Sequence, residues 1–266
     1  GLMAAVTKTP ALDSQENIYV SAESVYLWKF NKDGVYQWGY AFSTGTPTNA
    51  TVDENDLIYF CHGLPKKVFC IYGNKTKKWE ITLPLAVYTT PIVWNGRVYV
   101  GCNNTRLYCL NRENGGTVWS HLTGNEFAGG SWSELSIDDE GTCYGVSTAT
   151  GFAKRLFAIR HDNTEKWVWT CPSTIVCSPA VGTDGKVYVT CYDGKLYCIS
   201  ASGSTLWSYE LVPGVGYSLK SSPAIAPNGD IIIGGLDAYL HCVKSDGTLR
   251  WKYAAESGID SSPAVI

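Results

Sequence analysis

The sequence is poor in charge, in methionine and in long apolar runs. Charged residues make up 17% of its 266 positions, there is one Met, and Lys+Arg 21 against Asp+Glu 24 leave a net charge of −3. Binding a phosphate backbone takes a basic excess, so nucleic acid is excluded as a partner. No apolar run approaches the roughly 20 residues that span a bilayer, which argues against membrane insertion. The start Gly1-Leu2-Met3-Ala4-Ala5-Val6 lacks the charged and apolar regions of a signal peptide, so any targeting segment is expected outside this chain or not at all. There is no Cys-x-x-Cys pair, no Gly-x-Ser-x-Gly elbow, no His-Glu-x-x-His and no Gly-x-x-x-x-Gly-Lys-Ser/Thr loop. Those gaps remove the common zinc clips, hydrolase nucleophiles and phosphate cradles. What is abundant is 10 Trp, 17 Tyr and 27 Gly, a composition of short strands and tight turns.

The chain repeats itself. Ser221-Ser222-Pro223-Ala224 leads through Asn228-Gly229, Tyr239-Leu240 and Asp246-Gly247 to Trp251; Ser178-Pro179-Ala180 leads through Asp184-Gly185, Leu196-Tyr197 and Gly203 to Trp207. Walking back by the Trp gives Trp38, Trp79, Trp119, Trp167, Trp207 and Trp251, with steps of 41, 40, 48, 40 and 44 residues. Four residues before each stands Gly34, Lys75, Gly115, Asn163, Gly203 or Gly247, mostly residues that accept a left-handed backbone. The opening Pro is read at Pro10, Pro47, Pro91, Pro179, Pro223 and Pro263, with Glu134 in its slot in the fourth repeat. Four short β-runs per unit and no helical periodicity predict an all-β chain, a β-propeller of four-stranded antiparallel blades. A single domain over 1–266 is expected, with repeats at roughly 3–45, 46–88, 89–130, 131–176, 177–220 and 221–259. Residues 260–266 open a seventh. Six repeats and one extra inner strand fit either an excerpt of a seven- or eight-bladed ring or a last strand that joins the ring.

These motifs resemble the PQQ-like (pyrroloquinoline-quinone-like) propeller repeats with their tryptophan-docking motif, over nearly the whole chain and most clearly in units five and six. The resemblance implies that Trp38, Trp79, Trp119, Trp167, Trp207 and Trp251 pack between neighbouring blades as structural residues. Large flat side chains that bury on the order of 150 to 250 Å² suit that role. Enzymes of the family are quinoprotein dehydrogenases on longer, eight-bladed propellers, several with an adjacent Cys-Cys pair beside the cofactor. This sequence has no adjacent Cys pair, so no catalytic residue carries over. The expectation is no cofactor, with PQQ and calcium left open.

Six of the ten Cys fall in phase with the repeat. Cys70, Cys109, Cys198 and Cys242 share a third-strand slot that Ala158 and Lys29 fill elsewhere; Cys102 and Cys191 share a second-strand slot with Ala22, Ser147 and Gly235. Most are expected to be buried thiols standing in for small residues. Cys171 and Cys177, flanking the loop into unit five, are the expected bridge if one forms. Reduced thiols lean towards an intracellular setting. Asn49-Ala50-Thr51, Asn74-Lys75-Thr76 and Asn103-Asn104-Thr105 match the glycosylation pattern and leave secretion open.

A metal site is not expected, because the four His are not at zinc spacing from the Cys, and Asp53-Glu54-Asn55-Asp56 and Asp138-Asp139-Glu140-Gly141 read as turns. Lys66, Lys67, Lys75, Lys77 and Lys78 read as a solvated outer face, with a docking patch for an acidic partner as the alternative. A ligand site, where there is one, lies in the funnel lined by first strands and the loops leading into them, which brings forward Tyr88, Trp132, Glu134, Tyr217 and Lys220. Trp132 beside Glu134 suits a sugar or a cationic group. The reading reached is a non-catalytic propeller scaffold that binds a protein or peptide partner. Its alternatives are a carbohydrate or quinone-like ligand in the funnel and a fragment of a quinoprotein oxidoreductase.

Overall fold

The computed structural model describes residues 8–21, 25–42, 45, 47–124, 134–147, 154–175, 177–211 and 221–265. Among these, strands β1 to β24 in chain order make six four-stranded sheets and no helix forms. Every sheet is an antiparallel meander of four consecutive strands, the blade of a propeller. The chain divides into two compact units, Gly1–Trp132 and Ser133–Ile266, with three blades each.

Inner strands are largely apolar because both faces are covered. In β6 (Ile58–His62) every residue is buried. Ile58 and Phe60 pack with Tyr19 and Leu27 of blade one, whereas Tyr59 and Cys61 pack with Val98 and Val100 of blade three. Successive side chains of one strand point to opposite faces, so each central strand feeds two inter-blade cores. Unit 2 does the same: Tyr144 and Leu156 meet Val187 and Val189, while Leu196 and Cys198 meet Ile231 and Ile233.

Turn chemistry sets the register. Asp53 Oδ1 accepts the amides of Asn55 (2.9 Å) and Leu57 (3.0 Å), and the Tyr59 hydroxyl donates to Oδ2 at 2.9 Å. Asp13 with Tyr19 and Asp138 with Tyr144 repeat this arrangement, so both acidic runs are turns closed by their own side chains. The pairings Ala11↔Tyr19, Thr51↔Tyr59, Ser136↔Tyr144 and Ala180↔Tyr188 then align the first strands. The slot before them is filled by Pro10, Ala50, Leu135 and Pro179. This corrects the sequence reading, which put Pro47 and Glu134 there: Pro47 belongs to the preceding loop, where it bridges His62, and Glu134 sits one position earlier. The third-to-fourth turns are left-handed at all six expected places, including Lys75 (φ 75°) and Asn163 (φ 74°). A bulge beside the third-strand Cys slot follows in every sheet, as between Cys70 and Ile71.

Candidate binding surface

In such meanders the second-to-third turns and the loops joining consecutive blades share one end of the sheets. In unit 1 this end is rigidly built. The Leu83 amide donates to the Lys66 carbonyl (2.8 Å) and Asn103 to Ala86 (2.9 Å), while Val87 is fully buried beneath the loop. The ring of Tyr88 lies against Gly63 so closely that no Cβ fits there. Above that anchor Tyr88 is 50% exposed, Leu64 61% and Leu85 36%.

In unit 2 the same end carries Glu134, partly buried just ahead of β13 (Ser136–Ile137). Trp132, Tyr217 and Lys220 lie outside the described residues. Glu134 belongs to a feature the sequence reading missed. The amide of Thr9 donates to Asn49 Oδ1 (3.2 Å), that of Ser178 to Ser222 Oγ (3.0 Å) and that of Ser222 to Ser262 Oγ (2.9 Å). By register Thr90 and Glu134 hold this same position, so an oxygen-bearing side chain stands there in each repeat: Thr9, Asn49 and Thr90 in unit 1, Glu134, Ser178, Ser222 and Ser262 in unit 2. The signal was present: each residue immediately precedes the opening Pro or its replacement.

The expected Cys171–Cys177 bridge does not form. Cys171 is joined to Cys191, which follows β18 (Val187–Thr190), so the bond ties the loop into blade five to that blade's second-to-third turn. Cys177 is engaged elsewhere, its sulfur accepting the Thr190 amide at 3.1 Å. Thr48 takes the Cys61 amide, Thr89 that of Gly101 and Ser221 that of Gly234 in the same way; Cys177 replaces a hydroxyl. The eight remaining cysteines are buried. Burial pushes the Cys70 thiol up to about 12 and those of Cys109 and Cys198 to about 11, which keeps them protonated and unreactive at neutral pH.

The repeat tryptophans tie blade to blade. Trp38 Nε1 donates to the Gly73 carbonyl (3.1 Å), Trp79 to Arg112 (2.8 Å), Trp167 to Ala201 (3.0 Å) and Trp207 to Ser245 (3.0 Å). Trp119 lies 5.9 Å from Tyr99 of its own blade, and Trp251 is 42% exposed. Three lysines of blade two are engaged: Lys67 and Lys77 bind Glu80 at 2.8 and 3.0 Å, and Lys78 binds Glu113 at 2.6 Å. At the opposite end of unit 2 a cleft of about 340 Å³ is lined by Asp138, Asp139, Glu140, Lys166 and Asp184. Its Asp138 is consumed by its own turn and its Asp184 by Lys186. Among the described residues no three His, Cys, Asp or Glu side chains converge as metal ligands. At the loop end of unit 1, Leu64, Leu85 and Tyr88 offer apolar side chains outward from a hydrogen-bonded frame.

No curated protein matches the chain. Among solved structures it is similar to the crystal structure of BamB from Moraxella catarrhalis, at 15% identity and a TM-score of 0.76, over 98% of this chain and 78% of that one. At that identity the likeness establishes the propeller fold. The family model described as outer membrane protein assembly factor BamB matches residues 27–151 and 193–265. With that match over most of its length, the chain belongs to this BamB-like family of PQQ-like propeller repeats.

Proposed function

We propose that the chain is a non-catalytic scaffold that binds a protein or peptide partner through the loop end of its blades. The observation that carries this is the Leu64, Leu85 and Tyr88 patch, apolar, exposed and fixed by backbone hydrogen bonds. Exposed apolar side chains held on an ordered loop gain partner contacts at little ordering cost. The family description, outer membrane protein assembly factor, names a protein that works with other proteins, which supports the same reading. The Cys70 thiol is buried and held protonated, and Asp53 is bound within its own turn, so neither offers a ready nucleophile or base.

A photo-crosslinking residue placed at position 88 in cells that make the protein is expected to trap one discrete protein, and the same residue at exposed Tyr72, on the opposite turns, is not. Adding Leu64→Asp to the position-88 probe should abolish that product. Equal labelling from both positions would sink the proposal. Titration with PQQ, with and without calcium, tests the rival reading; saturable quenching of tryptophan fluorescence would replace the scaffold by a quinone-binding protein.

A further inference from the structure

The loop end of unit 1 carries a charge that the fold does not call for. The second-to-third turns of blades two, three, five and six place a left-handed residue at one position, Lys66 (φ 69°), Thr105 (φ 60°), Gly194 (φ 79°) and Ala238 (φ 64°). The carbonyl of that residue accepts the amide of the residue that follows the outer strand, Leu83, Thr123, Leu211 or Ala255. The turn forms around Thr, Gly or Ala as well as around Lys, so an ammonium there is not a requirement of the backbone.

Lys66 stands among the apolar residues of the surface. Its Nζ donates to the Pro84 carbonyl at 3.2 Å, which draws the ammonium across from the Leu64 turn to the Leu85 loop. That bond occupies one of the three ammonium donors. Lys67, Lys77 and Lys78 take Glu80 and Glu113, and Lys66 has no carboxylate among the described residues. Residues 62–66, 83–88 and 102–106, which build this end of blades two and three, contain no Asp or Glu. Arg106, the second cation of these segments, is turned to Ser120, with Nη1 3.0 Å from its hydroxyl. Pro65 and Pro84 are exposed beside Leu64 and Leu85 and have no amide N–H, so the surface suits side chains better than the backbone of an added strand.

We infer that the partner offers an acidic, apolar segment: its apolar side chains cover Leu64, Leu85 and Tyr88, and one of its carboxylates takes the remaining donors of the Lys66 ammonium. The assignment rests on the loop end being the binding surface proposed above and adds which segment that surface selects. A cation at the edge of an apolar contact discriminates among segments of equal hydrophobicity, favouring the acidic one and repelling the basic one.

Random peptides displayed on phage and selected on the intact purified chain test this. Sequences lost when the selection is repeated on Tyr88→Asp report this surface, and they should combine Leu, Ile or Phe with Asp or Glu. A synthetic peptide from that set should bind Lys66→Ala a few-fold more weakly and Lys66→Glu ~10-fold more weakly, as for removal and reversal of a partly exposed charge. Lys66→Ala installs the residue that Ala238 already supplies, so the thermal transition should hold. Selection on Lys66→Glu should favour Lys or Arg instead. If no selected sequence depends on Tyr88, the loop end is not a protein-binding surface and the scaffold proposal falls together with the acidic segment. Tyr88-dependent sequences without an acidic residue, or an affinity indifferent to Lys66→Glu, leave the scaffold proposal standing and overturn the acidic segment alone. Cosedimentation with phosphatidylglycerol vesicles that needs both Lys66 and Tyr88, with no peptide selected, would give the surface to a lipid and overturn it equally.

Discussion

Residues that occupy one repeat position differ in energy according to what covers them. Trp79 and Trp251 face third-strand cysteines in the same register, Cys70↔Trp79 and Cys242↔Trp251, yet one is 7% exposed and the other 42%. Removing a buried indole costs about 3 to 5 kcal/mol, against under ~1 kcal/mol for a surface change. Trp79→Ala should therefore lower the urea midpoint strongly and Trp251→Ala hardly at all, measured side by side. The thiols make a second contrast. Burial raises Cys70 from an ordinary 9.0 to about 12, so the folded state keeps a proton that the unfolded chain gives up. Full stability is present below pH 9 and is lost as the pH climbs through 12, because deprotonation favours the unfolded chain. Unfolding followed from pH 8 to 11 should show this fall, and Cys70→Ala, which installs the residue that Ala158 already supplies in blade four, should make it shallower by the Cys70 share. An unchanged slope would mean that the tyrosines raised by burial, Tyr59 among them, carry the dependence.

At the scale of the element, the bond between Cys171 and Cys191 closes a loop of 20 residues around the approach to blade five. Loops of that size are stabilised by about 3 kcal/mol, chiefly by constraining the unfolded chain. Reductant should thus lower the melting temperature of the protein, and Cys191→Ser should reproduce the shift and remove the response to reductant. Cys102 ends β10 (Arg97–Cys102) in the equivalent place but hydrogen-bonds the Leu85 carbonyl, so Cys102→Ser should leave the response intact. This bond also shows where reading the sequence stops. The blade pattern, the six tryptophans and the third-strand cysteine slot are periodic, and periodicity survives translation from sequence into register. The partner of Cys171 depends on which sulfur a turn brings near, and Cys177, nearer along the chain, is withdrawn by a local hydrogen bond to Thr190. Pro47 misled for a related reason: proline serves loops as readily as strand starts, and the Asp53 turn, not the proline, sets the register of β5 (Thr51–Val52). The Tyr88 patch was legible only as one residue, since its companions Leu64 and Leu85 are ordinary loop leucines until the fold brings them together.

For the whole molecule, the consequence of stacking meanders is that stability is a sum of blades and of the contacts between neighbours. Each buried cluster within a unit is shared by two adjacent blades, as where Trp167 and Trp169 of blade four meet Val189 and Tyr197 of blade five. In such arrays a perturbation weakens the repeat that carries it and the one it touches, and fades beyond them. Trp167→Ala removes the indole that donates to the Ala201 carbonyl and rests on Gly203, so it deletes the link between blades four and five. The link between blades five and six is separate, made by Trp207 with Ser245. Hydrogen exchange read by peptide should consequently show faster exchange in β15 (Arg155–Ile159), β16 (Glu165–Thr170) and β19 (Lys195–Ile199) of the variant. In β22 (Ile231–Gly234) and β23 (Tyr239–Val243) protection should stay close to that of the parent protein. Equal loss in all five strands would show that the three blades of unit 2 open as one cooperative body, and the nearest-neighbour account would then fail. Loss graded with distance from position 167 would establish the blade-to-blade tryptophan contact as the unit of stability in this protein, with each such contact made and broken on its own.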